Sequence, residues 1–149
     1  MNNNLEASMK PGKLSDGGFL GSDEKLDEIL RADDETVNRL GLTHERIADR
    51  LAYFVNAVGY PSREGRIVDG KYLVGGETWR GGQECPWGDI GFAMPNSSVD
   101  LYVRNQEIGE QLDFPGGIVH LIREHHFYEG RQSPYRVDPE KAARVLDIK

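Results

Sequence analysis

Phe114-Pro115-Gly116-Gly117-Ile118-Val119-His120-Leu121-Ile122-Arg123-Glu124-His125-His126-Phe127-Tyr128-Glu129-Gly130 holds three of the four histidines in this chain, set among aliphatic and aromatic residues. Placed on a helix at 100° per residue, Tyr128, Leu121, His125, Ile118, Ile122, His126 and Val119 fall on one arc. Arg123, Phe127, His120 and Glu124 fall on the other. As a strand, the segment would put Ile118, His120, Ile122, Glu124 and His126 on a single side, mixing charge with hydrocarbon. The pattern therefore predicts a helix, with Pro115 in its first turn and Gly130 at the left-handed position that ends it.

That placement separates the histidines. His125 sits within the apolar arc, as a core histidine would, and His126 sits at its margin. His120 and Glu124 are one turn apart on the polar face, where a carboxylate can orient an imidazole. The spacing is not that of a zinc protease, which needs two histidines at i and i+4; here that pair is His120 and Glu124.

Working outward, 149 residues point to one domain with a hydrophobic core of its own. Residues 1–18, rich in Asn, Gly and Lys, read as a flexible arm, and residues 19–149 as a single α+β domain. A hydrophobic fraction of 38% without a long apolar run predicts a soluble chain with no membrane span. The start lacks the basic and apolar regions of a signal peptide, and one cysteine allows no internal disulfide, so a cytoplasmic location is expected.

The net charge of −7 disfavours nucleic acid. Only residues 114–149 carry a basic excess, 6 against 5 acidic groups. Leu42 to Leu51 resembles the first helix of a helix-turn-helix reader. No basic recognition helix comes after it, because the helical pattern continues through Ala52-Tyr53-Phe54-Val55.

The N-terminal half predicts a helical layer. Ser22 is placed as an N-cap ahead of Leu26, Ile29 and Leu30, and a short second helix starts after Asp33 or Asp34 and runs up to Gly41. A third is capped by Thr43, buries Ile47, Leu51, Phe54, Val55 and Val58, and ends at Gly59. Strands and turns come next: a hairpin about Asp69-Gly70, then an antiparallel pair, Ser98–Val103 and Glu110–Phe114. A last helix has Asp138 as N-cap and Pro139 at its first position. The expected fold is α+β, with an N-terminal helical layer, a small antiparallel sheet and two C-terminal helices.

Three groups of residues carry chemistry. Cys85, with His120, His125 or His126, offers thiolate and imidazole ligands to zinc. Cys85 with a histidine base, or His120 with Glu124, supplies nucleophilic or acid–base parts. Arg131, Tyr135 and Arg136, with Arg123 nearby, form a loop able to hold a carboxylate or phosphate. Asp16-Gly-Gly-Phe-Leu-Gly21 lacks the lysine of a phosphate loop, and Asp23 and Glu24 would repel an anion. No nucleophile–base or metal-ligand set is complete in the sequence. The leading expectation is a binding module for a protein or small anionic ligand, with Trp79 and Trp87 as contact anchors. The alternative is a metal-dependent or Cys/His enzyme centred on Cys85 and the His120–His126 helix.

Overall fold

The structure is a computed structural model that describes residues 2–14 and 17–149, with side chains from Asn4 onward. Asp16, which opens the glycine-rich segment, lies outside the described residues, as do Met1 and Ser15 of the expected arm. The described elements are α1 (Asn2–Ser8), α2 (Leu26–Arg39), α3 (His44–Val58), β1 (Arg66–Val68), β2 (Tyr72–Thr78), β3 (Val99–Asn105), β4 (Glu110–Pro115), α4 (Ile118–His125) and α5 (Pro139–Val145). The fold is α+β: an N-terminal helical region, a four-stranded antiparallel sheet and C-terminal helices.

The sheet is a meander in the order β1-β2-β3-β4. Its register sets Val74 beside Val103 and Val103 beside Leu112, while Leu101 pairs with Phe114. These side chains alternate with exposed or half-buried ones, so one face is apolar. Helix α3 packs against β1 and β2, and α5 against β3 and β4. Helix α3 buries Ile47, Leu51 and Phe54, and α4, packed on α3, buries Ile118, Leu121 and Ile122, all essentially without solvent exposure. Thr43 caps α3 by accepting the Arg46 N–H at 3.0 Å, and Asp138 does the same for Lys141 in α5.

Three local expectations are corrected. The residues read as two short helices make one 14-residue helix, α2. Asp33 does not break it, because its buried carboxylate is paired with Arg136. Its cap is not Ser22: the Leu26 N–H is satisfied by the Glu6 carboxylate at 2.7 Å. That bond belongs to the segment read as a flexible arm, in which residues 2–8 are helical and Met9 is fully buried. Finally, α4 is shorter than its pattern. Pro115 closes strand β4, and the helix stops at His126, which adopts a left-handed conformation (φ 56°) and returns its N–H to Ile122. The turn there swings Phe127 and Tyr128 into the core, where both are wholly buried. Burying two large rings outweighs the modest cost of a non-glycine residue at positive φ.

The link from β4 to α4 is held by a close approach of two backbones. A Cβ at Gly116 would lie 2.1 Å from the Asn96 carbonyl oxygen, so only glycine lets the chain pass. This contact fastens the start of α4 to the loop joining β2 and β3, residues 79–98.

Candidate metal centre

Four side chains from two parts of the chain converge where that loop meets α4. Cys85, Asp89, His120 and His125 each offer one ligand atom, and these atoms all lie within 4.8 Å of one another. His120 Nε2 is 3.1 Å from the Asp89 carboxylate, and His125 Nε2 is 2.9 Å from it. His125 Nε2 is also 3.5 Å from the Cys85 sulfur. Ligands held at 2.0–2.3 Å around a tetrahedral zinc stand roughly 3.3–3.8 Å apart. The three closest contacts, at 2.9–3.5 Å, lie near that figure, and no pair of the four atoms exceeds 4.8 Å.

Local structure explains the convergence. Cys85 to Gly88 forms a turn closed by Gly88 N–H to the Cys85 carbonyl, 2.9 Å, and this brings the sulfur and the Asp89 carboxylate to the same side. The loop is pinned by a bridge between Glu84 and Ala93 and by the Met94 N–H to the Gln83 carbonyl. Trp87 stacks flat on His125, ring centres 4.1 Å apart and planes within 4°, and meets Phe127 edge-on. That stack fixes the imidazole plane.

The electrostatics are those of an anion held by donors. Burial works against the Asp89 carboxylate, but hydrogen bonds from Cys85, His120 and His125 outweigh it and hold its pKa well below the usual range. Burial, reinforced by the bond to Asp89, pushes the Cys85 thiol up to about 11. Without a cation Cys85 is therefore a thiol, which argues against a free nucleophile. A divalent cation would reverse this balance, because a coordinated thiol gives up its proton.

Of the candidates expected from sequence, Cys85, His120 and His125 come together, and Asp89 joins them. His125 does not fill the role of a core histidine bonded to a backbone carbonyl. His120 pairs with Asp89 rather than Glu124. Glu124 instead shares a groove of about 230 Å³ with His120 and Arg123, between α3 and α4. His126 turns away and stacks on His44, 4.1 Å between centres, while His44 bonds Asp34 and the Tyr128 hydroxyl at 2.9 Å each.

Two arginines of the proposed anion site, Arg136 and Arg123, are already paired with carboxylates. Arg136 makes a bidentate pair with the buried Asp33, at 2.8 and 2.9 Å, and donates to the Glu129 carbonyl. The N–H groups of Arg131 and Gln132 go to the Glu24 carboxylate, at 2.8 and 3.1 Å. Arg123 pairs with Asp49 at 2.7 Å. Tyr135 and Trp79 are half exposed and line a separate cavity.

Asp89 is the site residue the sequence reading missed. It is one of 25 acidic residues, and its i+4 spacing from Cys85 in a turn is the only signal that singles it out. Among the described residues no helix is long and apolar enough to cross a membrane. Comparison with family models, curated proteins and solved structures returns no match, so the functional reading rests on this geometry.

Proposed function

We propose that the protein is a metal-binding module that holds one zinc-class ion through Cys85, Asp89, His120 and His125. The observation that carries this reading is the approach of four chemically suited donor atoms to within 4.8 Å, drawn from a loop and a helix. One sulfur, two imidazole nitrogens and one carboxylate oxygen make a tetrahedral set of the kind zinc prefers over magnesium or calcium. With four protein ligands no coordination position is left for a substrate, so the ion would fasten the Cys85–Asp89 loop to the end of α4. The module would then present a stable surface for a partner, in keeping with a binding role. In a reducing compartment such as the cytoplasm the lone thiol stays available to the ion.

A second reading, a metal-dependent hydrolytic enzyme, is favoured by one feature. Asp89 is the most exposed of the four ligands, its side chain 33% accessible, and the groove beside His120 carries Glu124 as a candidate base. If Asp89 yielded its place to water, a catalytic centre would result.

Cobalt(II) loading tests the proposal. A four-coordinate site with one thiolate gives intense visible bands and a sulfur charge-transfer band in the near ultraviolet. Both are expected for the wild type, and the charge-transfer band should vanish in Cys85→Ser. The weak spectrum of six-coordinate cobalt would contradict the reading, and a five-coordinate spectrum that responds to added anions would favour the hydrolytic one.

A further inference from the structure

A cavity of about 360 Å³ opens beside the β2–β3 end of the sheet. Phe19, Trp79, Met94, Ile118, Leu121 and Tyr135 supply its apolar wall. The size lies in the range of small-molecule sites, and the lining combines aromatic and aliphatic side chains with polar ones, Arg80, Gln83, Ser97 and Asp100 among them. Glu129 also lines it, although only 3% of that residue is exposed. The backbone holds it there at φ 70°, a conformation uncommon for a non-glycine residue.

Proton counting shows the state of this carboxyl. The Ser133 hydroxyl lies 2.7 Å from Glu129 Oε1 and 3.1 Å from the Gly18 carbonyl oxygen, and it accepts the Tyr135 N–H. A hydroxyl has one proton to give. Among the described residues no other donor reaches either oxygen, and both are satisfied together when Glu129 brings a proton of its own. Burial acts the same way, raising the Glu129 pKa to about 8 against a smaller opposing effect of the Ser133 bond. Among the described residues no hydrogen bond reaches the second carboxyl oxygen.

We propose that this cavity binds a small organic amine, its ammonium group against Glu129 and its apolar body between Phe19, Trp79 and Tyr135. Aromatic faces attract an ammonium group, and more strongly where water is excluded. Among the described residues, Asp33, the other buried carboxylate, is already matched by Arg136, whereas Glu129 has no cationic side chain as partner. An anionic ligand would meet both Glu129 and Asp100 in the cavity, with Arg80 alone to offset them. The overall charge of −7 also favours encounter with a cation.

On binding, the O–H bond of Glu129 breaks and its proton leaves to solvent. The carboxylate then accepts an N–H from the ammonium, and the Ser133 hydroxyl turns from Gly18 towards Oε1. One proton is released per ligand and nothing is oxidised. The groups about Glu129 are the Ser133 hydroxyl, Tyr135, Arg80 and Asp100 in the cavity, and Arg136 on its carbonyl, already paired with Asp33. Glu24 lies beyond, tied to the amides of Gly21, Arg131 and Gln132.

Calorimetric titration of the full chain with phenethylamine tests this, with phenylacetate and phenylethanol as anionic and neutral probes of like shape. The amine is expected to bind best, to release one proton (read as a buffer-dependent heat), and to tighten nearly tenfold per pH unit between about pH 6 and 8. Glu129→Gln should weaken it at least tenfold. Should that variant fail to fold, Trp79→Ala, at a half-exposed position, is expected to weaken amine binding several-fold. No amine binding, equal affinity for amine and alcohol, or unchanged affinity in either folded variant would overturn the proposal.

Discussion

His125 Nε2 stands 3.5 Å from the Cys85 sulfur, although 40 positions of chain separate the two residues. Between them run β3, β4 and most of α4, so this contact forms only when that hairpin and helix return the chain to the loop. A metal bound there would report the folding of the C-terminal half and would add its binding energy to stability.

Zinc should therefore raise the melting temperature. At about 100 times its dissociation constant, an ion that binds only the folded state adds about 2.7 kcal/mol. Thermal melts with zinc and with a chelator are expected to differ by that order in the wild type and to coincide in Cys85→Ser.

The Glu129 carboxyl predicts a separate pH dependence. In the folded chain its pKa is raised to about 8, against an ordinary value of 4.5. Between these values the unfolded state binds fewer protons, so stability falls as pH rises through the window and levels off above it. The expected fall is roughly 3–5 kcal/mol. Denaturant titrations across this range should show a slope in the wild type that is absent in Glu129→Gln; parallel profiles would contradict the assignment.

The layers are legible in the sequence because their signals are local. Thr43 and Asp138 cap helices in place, and the hairpin turn at Asp69-Gly70 falls between β1 and β2. The extent of α4 is not legible, since tertiary burial of Phe127 and Tyr128 decides where the helix stops. A helical wheel of residues 115–129 cannot register that the chain reverses at His126. The same blindness misplaces the histidines: His125 at the helix end is free to reach Cys85 and Asp89, whereas a mid-helix residue would point into the core. Three of the four donors stand out by residue type alone, but their convergence with Asp89 depends on a 79–98 loop with almost no regular structure.

Neighbouring histidines offer a sharp contrast. His126 stacks on His44 and points away from the cluster, whereas His125 is inside it. His125→Ala is expected to abolish stoichiometric zinc binding, and His126→Ala to leave it intact. Metal analysis of the two variants after dialysis distinguishes them.

Arg136 and Arg131 should part company in the same manner. Removing Arg136 strands the buried Asp33 carboxylate and a Glu129 carbonyl, and breaking one side of such a pair costs about 3–5 kcal/mol. Arg131 contributes its backbone N–H to Glu24, which alanine retains, so Arg131→Ala should change stability little. Urea denaturation of each single variant checks the difference.

The most direct test of the metal centre is the zinc content of the untagged 149-residue chain, purified without chelator and compared with Cys85→Ser prepared alongside. One zinc per chain in the wild type, and far less in the variant, is the expected result. A metal-free wild type that also fails to take up added zinc, or equal zinc in the two proteins, would contradict a centre built on Cys85, Asp89, His120 and His125.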